Sequence, residues 1–144
     1  MKKGFDCIGI TVSFLCHDGE GNVLLNKRSV HCRDEHGHWD CGGGSVEFGQ
    51  TIERTLRKEI KEEYNADVQS FEFLGYRDVF RVQEGQDTHW LSLDFLVKVD
   101  RTQVKNNEPH KFDELEWFKW GELPTPMHSQ FPQFLKQYNQ KIKI

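Results

Sequence analysis

The stretch Thr51 to Asn65, TIERTLRKEIKEEYN, constrains this chain more than any other. It has the spacing of an amphipathic helix, yet acids intrude on the face that should be buried. A helix turns about 100° per residue, so with Ile52 at zero, Leu56 falls at about 40°, Ile60 at about 80° and Tyr64 at about 120°. Arg57 falls at about 140°, Lys61 at about 180° and Arg54 at about 200°, toward water. Glu63 falls at about 20°, inside the apolar stripe, with Glu59 at about 340° and Glu62 at about 280° on its flank. Thr51 is the expected N-cap and Glu53 sits in the first turn, near the positive end of the helix dipole. Charge runs usually form solvated faces, and Lys58 with Glu62 makes an ordinary i,i+4 pair. Glu63 weighs against that reading, because a buried carboxylate is costly unless something positive joins it. A divalent cation would relieve the repulsion among all three acids, and carboxylate oxygens are the ligands that Mg²⁺ or Mn²⁺ prefers.

The residues just before the helix, GGGSVEFG from Gly42 to Gly49, are expected to form a loop with backbone amides uncovered by side chains. Such a loop admits a bulky anion. No Gly-Lys-Ser/Thr follows, so it is not a Walker A loop. A glycine triplet alone marks a turn. Beside an acidic helix, it suggests a phosphate chain bridged to carboxylates by metal.

Elsewhere strands dominate. Residues 7–15 and 23–28 read as strands around a turn at 17–22, and 71–82 and 88–99 as two strands joined through 83–87. Residues 114–120 read as a short strand, and 132–141 as a final helix with Pro132 near its first turn. Strands and helices do not alternate strictly, which predicts an α+β fold with a mixed sheet. The chain has 144 residues, 36% hydrophobic and 29% charged, which suits one soluble domain over 1–144. A net charge of −4 argues against general nucleic-acid binding but leaves room for a local anion site. Cys7, Cys16, Cys32 and Cys41 form no CxxC pair and read as reduced thiols. Asp6 and Gly9 interrupt the apolar start, so it reads as a strand rather than a signal peptide. No apolar run is long enough to span a bilayer, and a cytoplasmic location is expected. The histidines show no zinc spacing.

Residues Gly44 to Ala66, GSVEFGQTIERTLRKEIKEEYNA, resemble the Nudix box, GX5EX7REUXEEXGU. Gly44 matches its first glycine, and Glu59, Ile60, Glu62 and Glu63 match its E-U-x-E-E core. Trp39 before the glycines and Glu122-Leu123-Pro124 after Glu116-Trp117-Phe118 extend the likeness. Gln50 stands in place of Glu, Lys58 of Arg, Asn65 of Gly and Ala66 of a larger aliphatic residue. Gln50 removes a negative charge, and Lys58 lacks the planar fork of Arg. Asn65 is the mildest change, since Asn tolerates the left-handed conformation that closes a helix.

The resemblance implies a Nudix fold, a mixed central sheet between helices (α/β/α). It implies Mg²⁺-dependent hydrolysis, with Mn²⁺ as a substitute, of a nucleoside diphosphate linked to X. The best-supported substrate is a nucleoside triphosphate, oxidised ones included, cut to monophosphate and pyrophosphate. Glu59, Glu62 and Glu63 would be metal ligands, and Lys58 would hold a ligand carboxylate in place. Glu47 and the Gly43-Gly44 backbone would line the site. Glu108, Asp113 and Glu114 are candidates for an additional carboxylate or general base. Arg28, Arg77, Arg81, Phe80, His89 and Trp90 are candidates for phosphate contact or base stacking, although a Trp on an alternating strand is more often core. A small nucleotide is the expected partner, and a homodimer is compatible with the family. The rival reading is a Nudix-fold sensor that binds a nucleotide without turning it over, a role that Gln50 and Lys58 would favour.

Overall fold

The computed structural model describes residues 1–144. Strands β1 (Gly9–His17), β2 (Asn22–Arg28), β3 (Trp39–Asp40) and β4 (Gly42–Ser45) precede helix α1 (Ile52–Tyr64). Then come β5 (Val68–Gln83), β6 (Gln86–Val99), β7 (Phe112–Lys119) and helix α2 (Phe131–Tyr138). The path through the sheet is β3-β2-β1-β6-β5, with β4 also on β1 and β7 also on β2. Only β1 and β6 run parallel among the paired strands, so the sheet is mixed, as expected.

Period-two alternation along β1 sorts the core. Val12, Phe14 and Cys16 face one way and pack with Leu56, Ile60 and Tyr64 of α1. Leu15 faces the other way and packs with Phe131, Phe134 and Tyr138 of α2. One helix therefore covers each face, which is the α/β/α layering. The tip of the β5–β6 hairpin is tighter than expected. Glu84 and Gly85, with φ of 53° and 74°, turn it in two residues, and the positive φ at both positions suits the right-handed strand twist.

The largest departure from expectation is at the glycines. Gly42–Ser45 is a strand rather than a loop, paired with Thr11–Phe14 of β1. The cause is room. A Cβ on Gly42 would lie 2.1 Å from the Phe14 ring, and one on Gly43 would lie 2.7 Å from the Val12 carbonyl oxygen. Only bare backbone can lie this close to β1. β1 and β2 pair only at Cys16–Leu24 and His17–Val23, then part. The chain from Trp39 to Ser45 fills the fork, pairing with β2 through Trp39-Asp40 and crossing to β1 at Gly42. That fork opens the cleft described next.

Candidate active site

Helix α1 is built as its spacing predicts. The Thr51 hydroxyl accepts from the Arg54 amide at 3.1 Å, and Asn65 closes the helix with φ 59°. The buried side chains are Thr55, Leu56, Ile60, Glu63 and Tyr64. Glu63 is only 1% exposed, and its Oε2 is the one buried side-chain oxygen or nitrogen without a hydrogen-bond partner. An unmet buried acceptor costs on the order of 1–3 kcal/mol, more when charged, so this oxygen is a standing demand for a cation or a proton. Burial pushes the Glu63 carboxyl well above the usual carboxylate range, and Glu59, Glu108 and Asp40 add to the shift while Lys111 opposes it. Burial and then Glu62 push Glu59 upward as well.

Gly44 makes the space for Glu59. A Cβ there would lie 2.2 Å from the Glu59 carboxyl carbon. Glu62 stays exposed, 3.9 Å from the Lys58 ammonium, so the expected pairing of those two is present.

The segment 104–111 brings further charges to the same end. Its backbone amides at Lys105 and Asn107 donate to the Tyr64 and Glu63 carbonyls, and the Asn107 side chain donates to the Lys61 carbonyl. The two backbone bonds meet carbonyls that the end of a helix leaves open. They also bring Glu108 and Lys111 beside α1, with Lys111 Nζ 3.5 Å from Glu108 Oε2. Asp113 and Glu114 are exposed on β7 and pair with nothing in the site.

Glu63, Lys111, Asp40 and the glycine strand line a cleft of ≈ 570 Å³. Burial lifts the Asp40 carboxyl to about 7 despite Arg28. The same cleft is also lined by Trp90, Phe131, Phe134, Arg28, Arg77 and Arg81. Arg77 grips the fully buried Asp94 through Nε at 2.7 Å and Nη2 at 3.0 Å. It is a positioned part of the wall more than a free anion ligand. Arg81 reaches Asp34 and Glu35 at 3.0 and 2.9 Å, and His128 meets Glu35 at 2.8 Å. Asp34, Glu35 and His128 also form the one group of three potential metal ligands whose atoms lie within 4.8 Å of one another. Arg28, Arg81 and Ser129 already partner the two carboxylates, so the group is an ion-pair cluster.

Not every expected site residue lines this cleft: Lys58, Glu59, Glu62 and Glu108 do not, nor do Glu47, Phe80 and His89. Glu47 is exposed and paired with Lys3 at 2.8 Å, outside the cleft wall. His89 points to the opposite face of the sheet, 2.8 Å from Asp78 and with its ring tilted 36° against that of Phe80, because adjacent residues on a strand alternate. Its neighbour Trp90 takes the cleft side, and Gly4 and Gly9 pack against its ring. Asp40, Lys111 and His128 are not legible as site residues in the sequence, because they arrive through contacts distant along the chain. Only Lys111 carries a local signal, its place in the charged stretch that also holds Glu108.

The donor set fits a hard divalent cation: an orphaned buried carboxyl oxygen, a second half-buried carboxyl, and a glycine whose side chain would fill the space beside it. The NUDIX domain family model matches residues 8–138. The chain belongs to the NUDIX domain family. It is similar to Nudix hydrolase 3 of Caenorhabditis elegans, 32% identical over 77 residues, covering 53% of this chain and 32% of that protein. The chain thus spans about a third of that relative's length. It is also similar to the RNA pyrophosphohydrolase of Acinetobacter baylyi, 27% identical over 124 residues, covering 76% of this chain and 72% of the relative. The crystal structure of a MutT NUDIX hydrolase from Burkholderia pseudomallei superposes with a TM-score of 0.79 at 25% identity, over 92% of this chain and 98% of that one.

Proposed function

We propose that this Nudix domain is a pyrophosphohydrolase that cleaves a nucleoside diphosphate linked to X. A nucleoside triphosphate, oxidised ones included, is the favoured substrate, cut to monophosphate and pyrophosphate. The observation that carries the reading is the unpartnered Glu63 carboxyl in the lining of a cleft that also presents aromatic residues and arginines. Glu59, Glu62 and Glu63 would hold Mg²⁺, with Mn²⁺ as a substitute. Bound there, such an ion neutralises the diphosphate and makes water a better nucleophile at neutral pH.

The remaining work falls to the chain. Lys58, whose ammonium lies 3.9 Å from Glu62, would hold that ligand carboxylate in place. Lys111 supplies positive charge beside the scissile phosphate, which matters because phosphoryl transfer relies mainly on positioning and charge stabilisation. Glu108, held by Lys111, takes the proton of the attacking water as one phosphorus–oxygen bond forms and the anhydride bond to the leaving group breaks. Trp90 offers a face for the base, and Arg28 and Arg81 face the rest of the nucleotide. The cytoplasm suits the four free thiols.

A panel of nucleoside triphosphates and nucleoside-diphosphate derivatives, incubated with Mg²⁺, Mn²⁺ or a chelator, tests this reading. Monophosphate and pyrophosphate should appear only with metal. Tight binding without cleavage would instead support the sensor.

A further inference from the structure

Helix α2 is tied to the sheet through a buried charge. Asp94 of β6 is fully buried, and it accepts from Arg77 Nε at 2.7 Å, Arg77 Nη2 at 3.0 Å, the Ser92 hydroxyl at 2.8 Å and the Tyr138 hydroxyl of α2. Register sets this cluster among the residues that line the cleft. Ser45, Thr11, Ser92 and Arg77 lie side by side across β4, β1, β6 and β5, and Ser13 stands beside Asp94 two residues further along the same face. Thr11, Ser13, Ser45, Ser92 and Arg77 all line the cleft. Three of these hydroxyls spend their protons within the protein. Ser92 donates to Asp94, so Ser13 is the donor in its 2.8 Å contact with Ser92. Thr11 donates to the Gly44 carbonyl at 2.8 Å. What the three offer a ligand is lone pairs. Arg77 is the opposite, with five N–H groups and no acceptor. Two meet Asp94, one reaches Ser92 at 3.4 Å and one the Gln130 carbonyl at 3.4 Å, which leaves one N–H on Nη1 without a partner. The Phe134 ring covers the guanidinium, with its centroid 5.3 Å from the central carbon.

From this arrangement we infer that Arg77 reads a carbonyl oxygen on the nucleobase through its free Nη1 hydrogen, and that Asp94 and Tyr138 are positioning residues that aim it. The inference rests on the nucleotide reading of the cleft and names the class of base that the cleft takes. A neutral acceptor suits Arg77 better than a phosphate does. Its charge is already balanced by Asp94, and Asp40 lines the same cleft, so a phosphate here would bring surplus negative charge into a buried site. A carbonyl adds no charge and meets the free donor, whereas an amino group in its place would set donor against donor. Trp90 and Phe131 line the same cleft and supply flat apolar surface for such a base. Ser92 and Tyr138 fix the Asp94 carboxylate, and its two-point grip then fixes the plane of the guanidinium.

The test is calorimetric titration of the whole chain with nucleoside monophosphates, which reads binding apart from turnover. Two matched pairs each differ in one carbonyl: inosine monophosphate against purine riboside monophosphate, and uridine monophosphate against 2-pyrimidinone riboside monophosphate. Wild type should bind the carbonyl-bearing member of at least one pair about fivefold or more tighter, the effect of leaving a buried donor unmet. Arg77→Lys keeps a charge for Asp94 but not the planar fork, and should bring that ratio to about one. Tyr138→Phe should at least halve the ratio, while the member without the carbonyl binds within about twofold of wild type, since only the aim of Arg77 changes. Thermal melts check that both variants fold. Equal binding within both pairs by wild type, or none, would overturn the inference. So would a folded Arg77→Lys that keeps the wild-type ratio, or a Tyr138→Phe that weakens both members alike, the mark of a merely structural role. A carbonyl preference without cleavage of any triphosphate would keep this inference and sink the hydrolase reading; cleavage with equal binding would do the reverse.

Discussion

At the scale of single residues, two neighbouring glycines separate folding from function. A methyl group at Gly42 would strike the Phe14 ring inside the core, whereas one at Gly44 would strike only the mobile end of Glu59. Gly42→Ala should therefore cost on the order of 1–3 kcal/mol of stability, the usual penalty for overpacking. Gly44→Ala should melt within a few degrees of wild type and lose at least tenfold in metal-dependent turnover, because Glu59 is displaced. Paired thermal melts and rate assays read both effects; equal losses of stability in the two variants would refute the distinction. Glu63 shows why such a site is legible at all. Its place in the apolar stripe is readable from spacing alone, since helix geometry fixes which side chains share a face. Its missing partner is not readable, because that depends on what the rest of the fold brings near it.

At the scale of elements, the site depends on how segment 104–111 docks on the end of α1. Asn107 ties that segment to the Lys61 carbonyl and to the Asn65 side chain, while its amide meets the Glu63 carbonyl. Asn107→Ala should cost about 1 kcal/mol by denaturant melt, the usual worth of such bonds. It should slow turnover more than it weakens nucleotide binding, since Glu108 and Lys111 lose their seat. Unchanged turnover in a measurably destabilised variant would separate this segment from the chemistry. Helix α1, its caps and the β5–β6 hairpin are legible because their signals are local: a 3.6-residue period, a Thr before it, alternating strands around a short polar turn. The glycine strand is illegible for the opposite reason. Gly42 to Gly44 carry no side-chain pattern, and their extended form is imposed by β1, some thirty residues earlier. His89 stands outside the cleft lining that Trp90 joins, and alternation alone separates the two once either side chain is fixed.

At the scale of the whole molecule, a fold that gathers acids in a cleft should carry a signature in its response to pH. Burial raises the Asp40 carboxyl to about 7. A carboxyl raised in the folded state favours folding fully below its unfolded value near 4, and that contribution is lost as pH climbs through about 7. His128 works in the other direction, since burial lowers its imidazole to about 4, and its contribution to folding grows as pH rises from there toward 6.5. The two partly cancel in wild type, so the comparison belongs to a variant. The melting temperature of Asp40→Asn relative to wild type should climb steadily between pH 4 and pH 7, and a flat difference would show that Asp40 ionises normally. The central claim is that Glu59 and Glu63 converge on one divalent ion that serves hydrolysis. Its most direct test is Mn²⁺ binding followed by electron paramagnetic resonance, with turnover measured on the same samples of wild type and the Glu59→Gln, Glu63→Gln double variant. Wild type should bind Mn²⁺ and cleave a nucleoside triphosphate. The double variant should stay folded, lose the bound signal, and lose turnover by roughly a thousandfold or more, as expected when liganding carboxylates are removed. Equal Mn²⁺ affinity and equal turnover in the folded double variant would contradict the account.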